Sequence, residues 1–193
     1  MTQTTDLATD LATAFREAFR HQPAGVAIVT ADPGTGPVAM TVSSLISISA
    51  DPPSVAFSLS SRSGSTPAVL EAGSMVIHFL RYGDRELGQL AATPGADRFG
   101  PGVDWQRLPG GEPRYTRVAI WFRARITGTL PAPGATVVVA ELLEGHGGPA
   151  GPHHAPEQDP LIYLDRRWHR LHDQRDGVTS LMPVDADPTH VFR

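Results

Sequence analysis

The chain has 193 residues, 40% of them hydrophobic and 19% charged, and a net charge of −4, which suits one globular domain with a single core. It contains no cysteine and no lysine, all sixteen basic residues being arginine. Disulfides, thiol nucleophiles, cysteine metal sites and lysine Schiff-base chemistry are therefore excluded.

No apolar run approaches the roughly 18–20 residues of a membrane span, and MTQTTDLATD lacks the basic-then-apolar form of a secretory leader. An acidic balance without a basic run argues against nucleic acid. These features predict a cytoplasmic protein with neither a membrane nor a nucleic acid as partner. Any bound phosphate must meet arginine, hydroxyl groups or backbone N–H.

Asp10 is placed to cap a helix with Leu11, Phe15, Ala18 and Phe19 on one face, and Pro23 stops it. A first strand is predicted over Val26–Ala31. The turn Asp32-Pro33-Gly34-Thr35-Gly36-Pro37 leads to a single long strand, Val38–Ser49. In its second half Leu45, Ile46 and Ile48 alternate with Ser44, Ser47 and Ser49. Asp51-Pro52-Pro53 turns the chain and Ser54–Leu59 returns it. Ser65 or Thr66 is placed to cap a short helix, with Pro67 in its first turn and Gly73 at its end. Met75–Leu80 reads as a buried strand, and Asp84 is placed to cap a helix containing Leu87, Leu90 and Ala91.

Thr93–Gly111 reads as loop. Thr116–Leu130 is predicted as a long strand bent near Gly128, and the β-branched run Thr136–Leu143 as a central strand. Gly145–Pro160 is a Gly/Pro/His loop, followed by strands at Leu161–Leu164 and Arg167–Leu171. The tail from Asp173 is polar, with Val178, Leu181, Met182 and Val184 to dock. Many short strands with few helices predict a mainly β fold, a closed barrel with peripheral helices.

Five segments, in order, resemble the flavin reductase-like family: FREAFRHQPAGVAIVT, GPVAMTVSSLISISADPPSVAFSL, SGSTPAVLEAGSMVIHFL, ELGQLAATPGADRF and DPLIYLDRRWHRL. The likeness runs from about Phe15 to Leu171, and MTVSSLISISADPP is its most specific block. The resemblance implies the FMN-binding split barrel, of Greek-key type, over residues 1–172, with 173–193 as a tail. It also implies a homodimer with the flavin near the subunit interface.

In this family pattern the flavin ring lies along Thr41, Val42, Ser43, Ser44 and Ser47. The phosphate lies at the loop holding Ser60, Ser61, Arg62, Ser65 and Thr66, and Arg98 and Phe99 approach from the loop side. The physical chemistry agrees. Small hydroxyl residues let a flat ring come close to the backbone, and a loop entering a helix offers amides to an anion. No catalytic side chain and no metal ligand is assigned. His146, His153, His154, Glu157 and Asp159 read as a solvated loop. His78, where the family usually has Asn, reads as a hydrogen-bonded core residue. Trp121 and Trp168 read as packing.

The implied activity is hydride transfer from NADH or NADPH to FMN or FAD, with reduced flavin passing to a flavin-dependent monooxygenase. One departure bears on it. Many family reductases carry Gly-Asp-His where this chain has Gly134-Ala135-Thr136. Hydride transfer needs stacking and proximity more than an acid or base, so the loss weakens the reductase reading without excluding it. The alternative is a flavin-binding protein of the same fold without NAD(P)H turnover.

Overall fold

The computed structural model describes residues 3–148, 158–173 and 179–186, with side chains from residue 10 through residue 171 of that set. The first helix, α1, spans Gln3–Arg20, so it begins seven residues before Asp10. Leu11, Phe15 and Phe19 are exposed rather than packed on the body. The helix is moored at its end, where the Asp165 N–H donates to the Arg20 carbonyl over 2.8 Å.

Strands β1 (Ala24–Gly25), β2 (Ala27–Ala31), β3 (Val38–Val42), β4 (Ile46–Ala50) and β5 (Pro53–Ser60) follow. Then come α2 (Thr66–Ala72), β6 (Ser74–Phe79), a 3-10 turn (Tyr82–Asp84) and α3 (Arg85–Ala92). The rest are β7 (Trp105–Arg107), β8 (Pro113–Tyr115), β9 (Ile120–Ala132), β10 (Ala135–Gly147), β11 (Leu161–Leu164), β12 (Arg167–Asp173) and β13 (Thr179–Ala186).

Seven strands form the main sheet in the order β3-β2-β6-β9-β10-β5-β4, β1-β11-β12-β13 form a second sheet, and β7 pairs with β8. Every pairing in the main sheet is antiparallel. The two edge strands, β3 and β4, are joined by only three residues, so the sheet must curl until its edges nearly meet. This is the split barrel. The predicted single strand Val38–Ser49 is thus two strands on opposite edges, broken at Ser43–Leu45 without a glycine or proline.

Alternate residues of the curled sheet fill its interior: Val29, Met40, Phe57, Leu59, Met75, Ile77 and Val138 share one core with Val69 of α2. The opposite parity packs outward. Ile28 joins Leu80, Leu87, Tyr115, Leu161 and Trp168 in a second core between the barrel, α3 and the smaller sheet. Covered on both faces, β2 is buried at all five residues. Gly88 of α3 allows this closeness, since a Cβ there would lie 3.0 Å from Leu80 and 3.5 Å from the Trp168 ring.

The expected bend near Gly128 is a bulge. The β9–β10 register shifts between Val139, opposite Gly128, and Ala140, opposite Ile126. Three segments read as loop or tail carry strands. These are Trp105–Arg107, the first residues of Gly145–Pro160, into which β10 extends, and Thr179–Ala186, which pairs with β12. Of the tail's docking residues, Leu181, Met182 and Val184 fall in β13, and Val178 lies outside the described residues. Asp84 stands at the start of α3 without capping it, because its carboxylate accepts the Arg81 N–H at 3.0 Å instead. Among the described residues, no helix is long and apolar enough to cross a membrane.

Candidate functional site

The site starts where β3 ends. Thr41 is half-buried and Val42 points into the barrel core at 3% exposure; a ligand can meet Val42 only through its main chain. Ser43, Ser44 and Leu45 carry the chain from β3 to β4, where Ser47 is exposed between exposed Ile46 and Ile48. Ser44 Oγ accepts the Ser58 N–H of β5 over 2.9 Å and lies 3.0 Å from Ser58 Oγ and 3.3 Å from the Ser58 carbonyl.

The loop from Ser60 to Thr66 lies beside this segment. Ser65 Oγ donates to the Ala39 carbonyl of β3 over 3.3 Å, and Thr66 Oγ1 to the Ser60 carbonyl over 2.7 Å. Neither hydroxyl caps α2, although Pro67 in the first turn and Gly73 (φ 68°) at the end bound that helix as expected. The two hydroxyls instead tie the loop to β3 and β5. The Ser61 N–H donates to the Gly134 carbonyl at 3.0 Å, which sets the β9–β10 turn against the loop.

The N–H groups of Ser63 and Thr66 are also bonded within the loop, to the Ser60 and Ser63 carbonyls. The amides expected to be free for an anion are thus largely committed, because so short a helix closes its entry on its own loop. An anion here would meet the exposed Ser60 and Ser61 hydroxyls and the exposed Arg62 guanidinium. Ala135 and Thr136 lead from the same turn, Thr136 standing opposite Leu59.

Arg98 and Phe99 are held from the other core. The Arg98 guanidinium donates to the Ala91 and Thr93 carbonyls, each at 2.8 Å, and so caps the C-terminal end of α3. The Phe99 ring stacks on Tyr115 with centroids 5.4 Å apart. Tyr115 Oη donates to the Arg98 carbonyl and Trp105 Nε1 to the Phe99 carbonyl. The segment is rigid, and its charge serves the helix end.

His78 is fully buried. Its Nδ1 lies 3.2 Å from the Ile28 carbonyl, and its Nε2 accepts the Tyr115 N–H at 3.0 Å. The Nδ1–H tautomer satisfies both, and burial pulls its pKa down to about 3. The core reading of His78 holds, as does that of Trp168, which is 1% exposed. Trp121 is only half-buried, with the Arg114 guanidinium 4.4 Å from its ring centre. Among the loop residues weighed as ligands, His146 lies 3.1 Å from the Ala119 carbonyl and Asp159 pairs with Arg170 at 3.4 Å. His153, His154 and Glu157 fall outside the described residues.

Ser58 was not read from sequence as part of the site. No spacing signal marked it: counted from the pairing of Ala50 with Pro53, Ser44 would fall opposite Leu59, and the register shift between Ser47 and Ser49 is what brings it to Ser58.

Residues 19–172 match the family described as flavin reductase like domain. An NADH:FMN oxidoreductase of Rhodococcus erythropolis is 34% identical over 173 residues, 86% of each chain. The reductase component of a 4-nitrophenol 4-monooxygenase/4-nitrocatechol 2-monooxygenase of Rhodococcus opacus is 30% identical over 89% of this chain and 87% of its own. Among solved structures, a flavin reductase domain protein from Arthrobacter sp. FB24 superposes with a TM-score of 0.72 at 30% identity, over 90% of this chain and 98% of that one. The flavin reductase HpaC, solved with NADP+, gives a TM-score of 0.72 at 25% identity, over 83% and 97%. With the split barrel and these likenesses together, the chain belongs to the flavin reductase-like family.

Proposed function

We propose that this protein is an NAD(P)H:flavin oxidoreductase that reduces FMN or FAD and supplies reduced flavin to a partner monooxygenase. The observation that carries it is the break between β3 and β4. There a hydroxyl-lined segment with unpaired peptide groups lies beside an arginine-bearing loop at the mouth of the barrel. These groups fit a flavin, whose ring needs close backbone approach and hydrogen bonds at one edge and whose chain ends in phosphate.

In this reading Thr41, Val42, Ser43, Ser44 and Ser47 border the ring, and Ser60, Ser61, Arg62, Ser65 and Thr66 border the phosphate. Arg98 and Phe99 wall the loop side through their pinned backbone. Bound flavin supplies the hydride-accepting ring. The chain's own residues bind and orient it and leave one face for a nicotinamide; no side chain is needed as acid or base. Similarity to the Rhodococcus erythropolis oxidoreductase and to a monooxygenase reductase component supports the activity and the kind of partner.

The exposed apolar residues of α1 and β4 support a homodimer with the site near its interface. The location in this reading is cytoplasmic. Anaerobic mixing with FMN and NADH tests the reading. Flavin absorbance near ~450 nm should bleach; flavin that binds but stays oxidised with both NADH and NADPH would favour the non-reductase alternative, which the missing Asp-His pair motivates.

A further inference from the structure

The β4–β5 register sets Ile46 opposite Ala56. Carried two residues back, it would set Ser44 opposite Ser58, but the ladder stops before reaching them. The Ser44 hydroxyl takes that place. It accepts the Ser58 N–H over 2.9 Å, receives the Ser58 hydroxyl at 3.0 Å and donates to the Ser58 carbonyl at 3.3 Å. One oxygen thus occupies both main-chain groups of Ser58 that the peptides around Ser44 would otherwise fill. On the other side, the β2–β3 ladder ends at Val42, opposite Ala27. Among the described residues, no backbone hydrogen bond joins Ser43, Ser44 or Leu45 to another residue.

Three successive peptide groups at a half-exposed rim therefore have donors and acceptors that no other protein group takes, free to exchange water for a ligand. We propose that Ser44 is a positioning residue for the flavin: its side chain replaces the main chain in the ladder, so that the peptides of Ser43–Leu45 pair with the pyrimidine edge of the ring. That edge alternates carbonyl oxygens with an N–H, and a free strand offers the complementary alternation. The proposal rests on the flavin reading above. It differs from a direct contact in that the Ser44 hydroxyl faces Ser58, not the ligand.

The test is titration of the full-length protein with FMN and with riboflavin, followed by flavin fluorescence and by the visible spectrum of the bound form, with urea unfolding in parallel. Without its hydroxyl, Ser44→Ala either lets the ladder advance and consume the free peptides or leaves the Ser58 N–H unpaired. Affinity should fall about tenfold for both ligands, with a changed visible band, whereas Ser44→Thr, which keeps the hydroxyl, should stay within about threefold of wild type. If Ser44→Ala does not fold, Ser44→Cys, with its weaker sulfur acceptor, takes its place with the same expected order. Unchanged affinity, a loss confined to FMN, or equal losses in the Ala and Thr variants overturns the proposal while the flavin reading stands. Wild type that binds neither flavin overturns both.

Discussion

The main-chain N–H of Tyr115 donates to Nε2 of His78 over 3.0 Å in a fully buried setting. The other ring nitrogen, Nδ1, donates to the Ile28 carbonyl, so a proton on Nε2 would displace the Tyr115 bond inside the second core. Burial lowers the folded pKa from 6.5 to about 3. Below pH 6.5 the unfolded chain binds a proton that the folded chain refuses. The stabilisation is complete above pH 6.5 and declines as pH falls toward 3, at up to about 1.4 kcal/mol per unit. His78→Gln should flatten the pH dependence of urea unfolding between pH 4 and 6.5 by about one proton. Parallel slopes for the two proteins would show that His78 is protonated freely.

Glu112 is 3% exposed and accepts from Arg123 Nε at 2.7 Å. Burial works to raise its pKa, but the Arg123 bond and nearby donors hold the carboxyl below its ordinary value. Its stabilisation is present above the ordinary carboxylate range and lost as pH falls through the lowered folded pKa. Arg123→Ala strands the carboxylate and should cost about 2–3 kcal/mol by denaturant unfolding, less than a fully buried pair because Arg123 is partly exposed. Replacing both, Glu112→Gln with Arg123→Met, should recover much of that loss. A double variant as unstable as the single one would argue against the pair.

Arg62→Ala should separate phosphate from ring. Arg62 is exposed, so a bond from it to the flavin phosphate would be worth about 0.5–1.5 kcal/mol, or roughly 2- to 12-fold in FMN affinity. Riboflavin affinity should hardly change. Equal losses for the two would place Arg62 away from the phosphate.

Ala135→Asp with Thr136→His restores the family's usual pair at the start of β10. Thr136 lies opposite Leu59, one residue along from the pairing of Ala135 with Ser60, so the substitution alters the rim and not the Ser43–Leu45 segment. Flavin affinity should stay unchanged and NADH turnover should rise about tenfold or less, corresponding to about 1.4 kcal/mol. Wild type without turnover beside an active double variant would make this chain a flavin binder that lacks reductase action.

Leu11, Phe15 and Phe19 are 58–71% exposed, and Ile46 and Ile48 are 54–57% exposed. An amphipathic helix moored only at its end gains most of its stability from what covers its apolar face. Phe15→Ser with Phe19→Ser should move sedimentation at micromolar concentration from dimer toward monomer. Wild type that sediments as a monomer with flavin bound would remove the dimer from the reading.

The buried strands were legible because period and composition agreed. Ser54–Leu59 and Met75–Leu80 lie where their apolar residues place them, and Pro67 and Gly73 bracket α2. The break at Ser43 was not, because it is made by a side chain, Ser44, competing for a partner fourteen residues away, and no local breaker marks it. Arg98 entered the candidate site only through resemblance. Its work on the α3 carbonyls depends on a chain reversal after Thr93 that composition does not encode. Strand β13 was missed because its pairing with β12 is main-chain bonding, which a polar tail supplies as well as an apolar one.

The three-residue link between β3 and β4 spans the two extremes of a seven-stranded sheet. A ligand seated there fastens the first and last staves together, so it cannot be released by fraying of one edge alone without feeling the other. Amide hydrogen exchange in β3 and β4 should slow together when flavin binds. A single local opening would then expose both, making these distant sheet edges one cooperative unit.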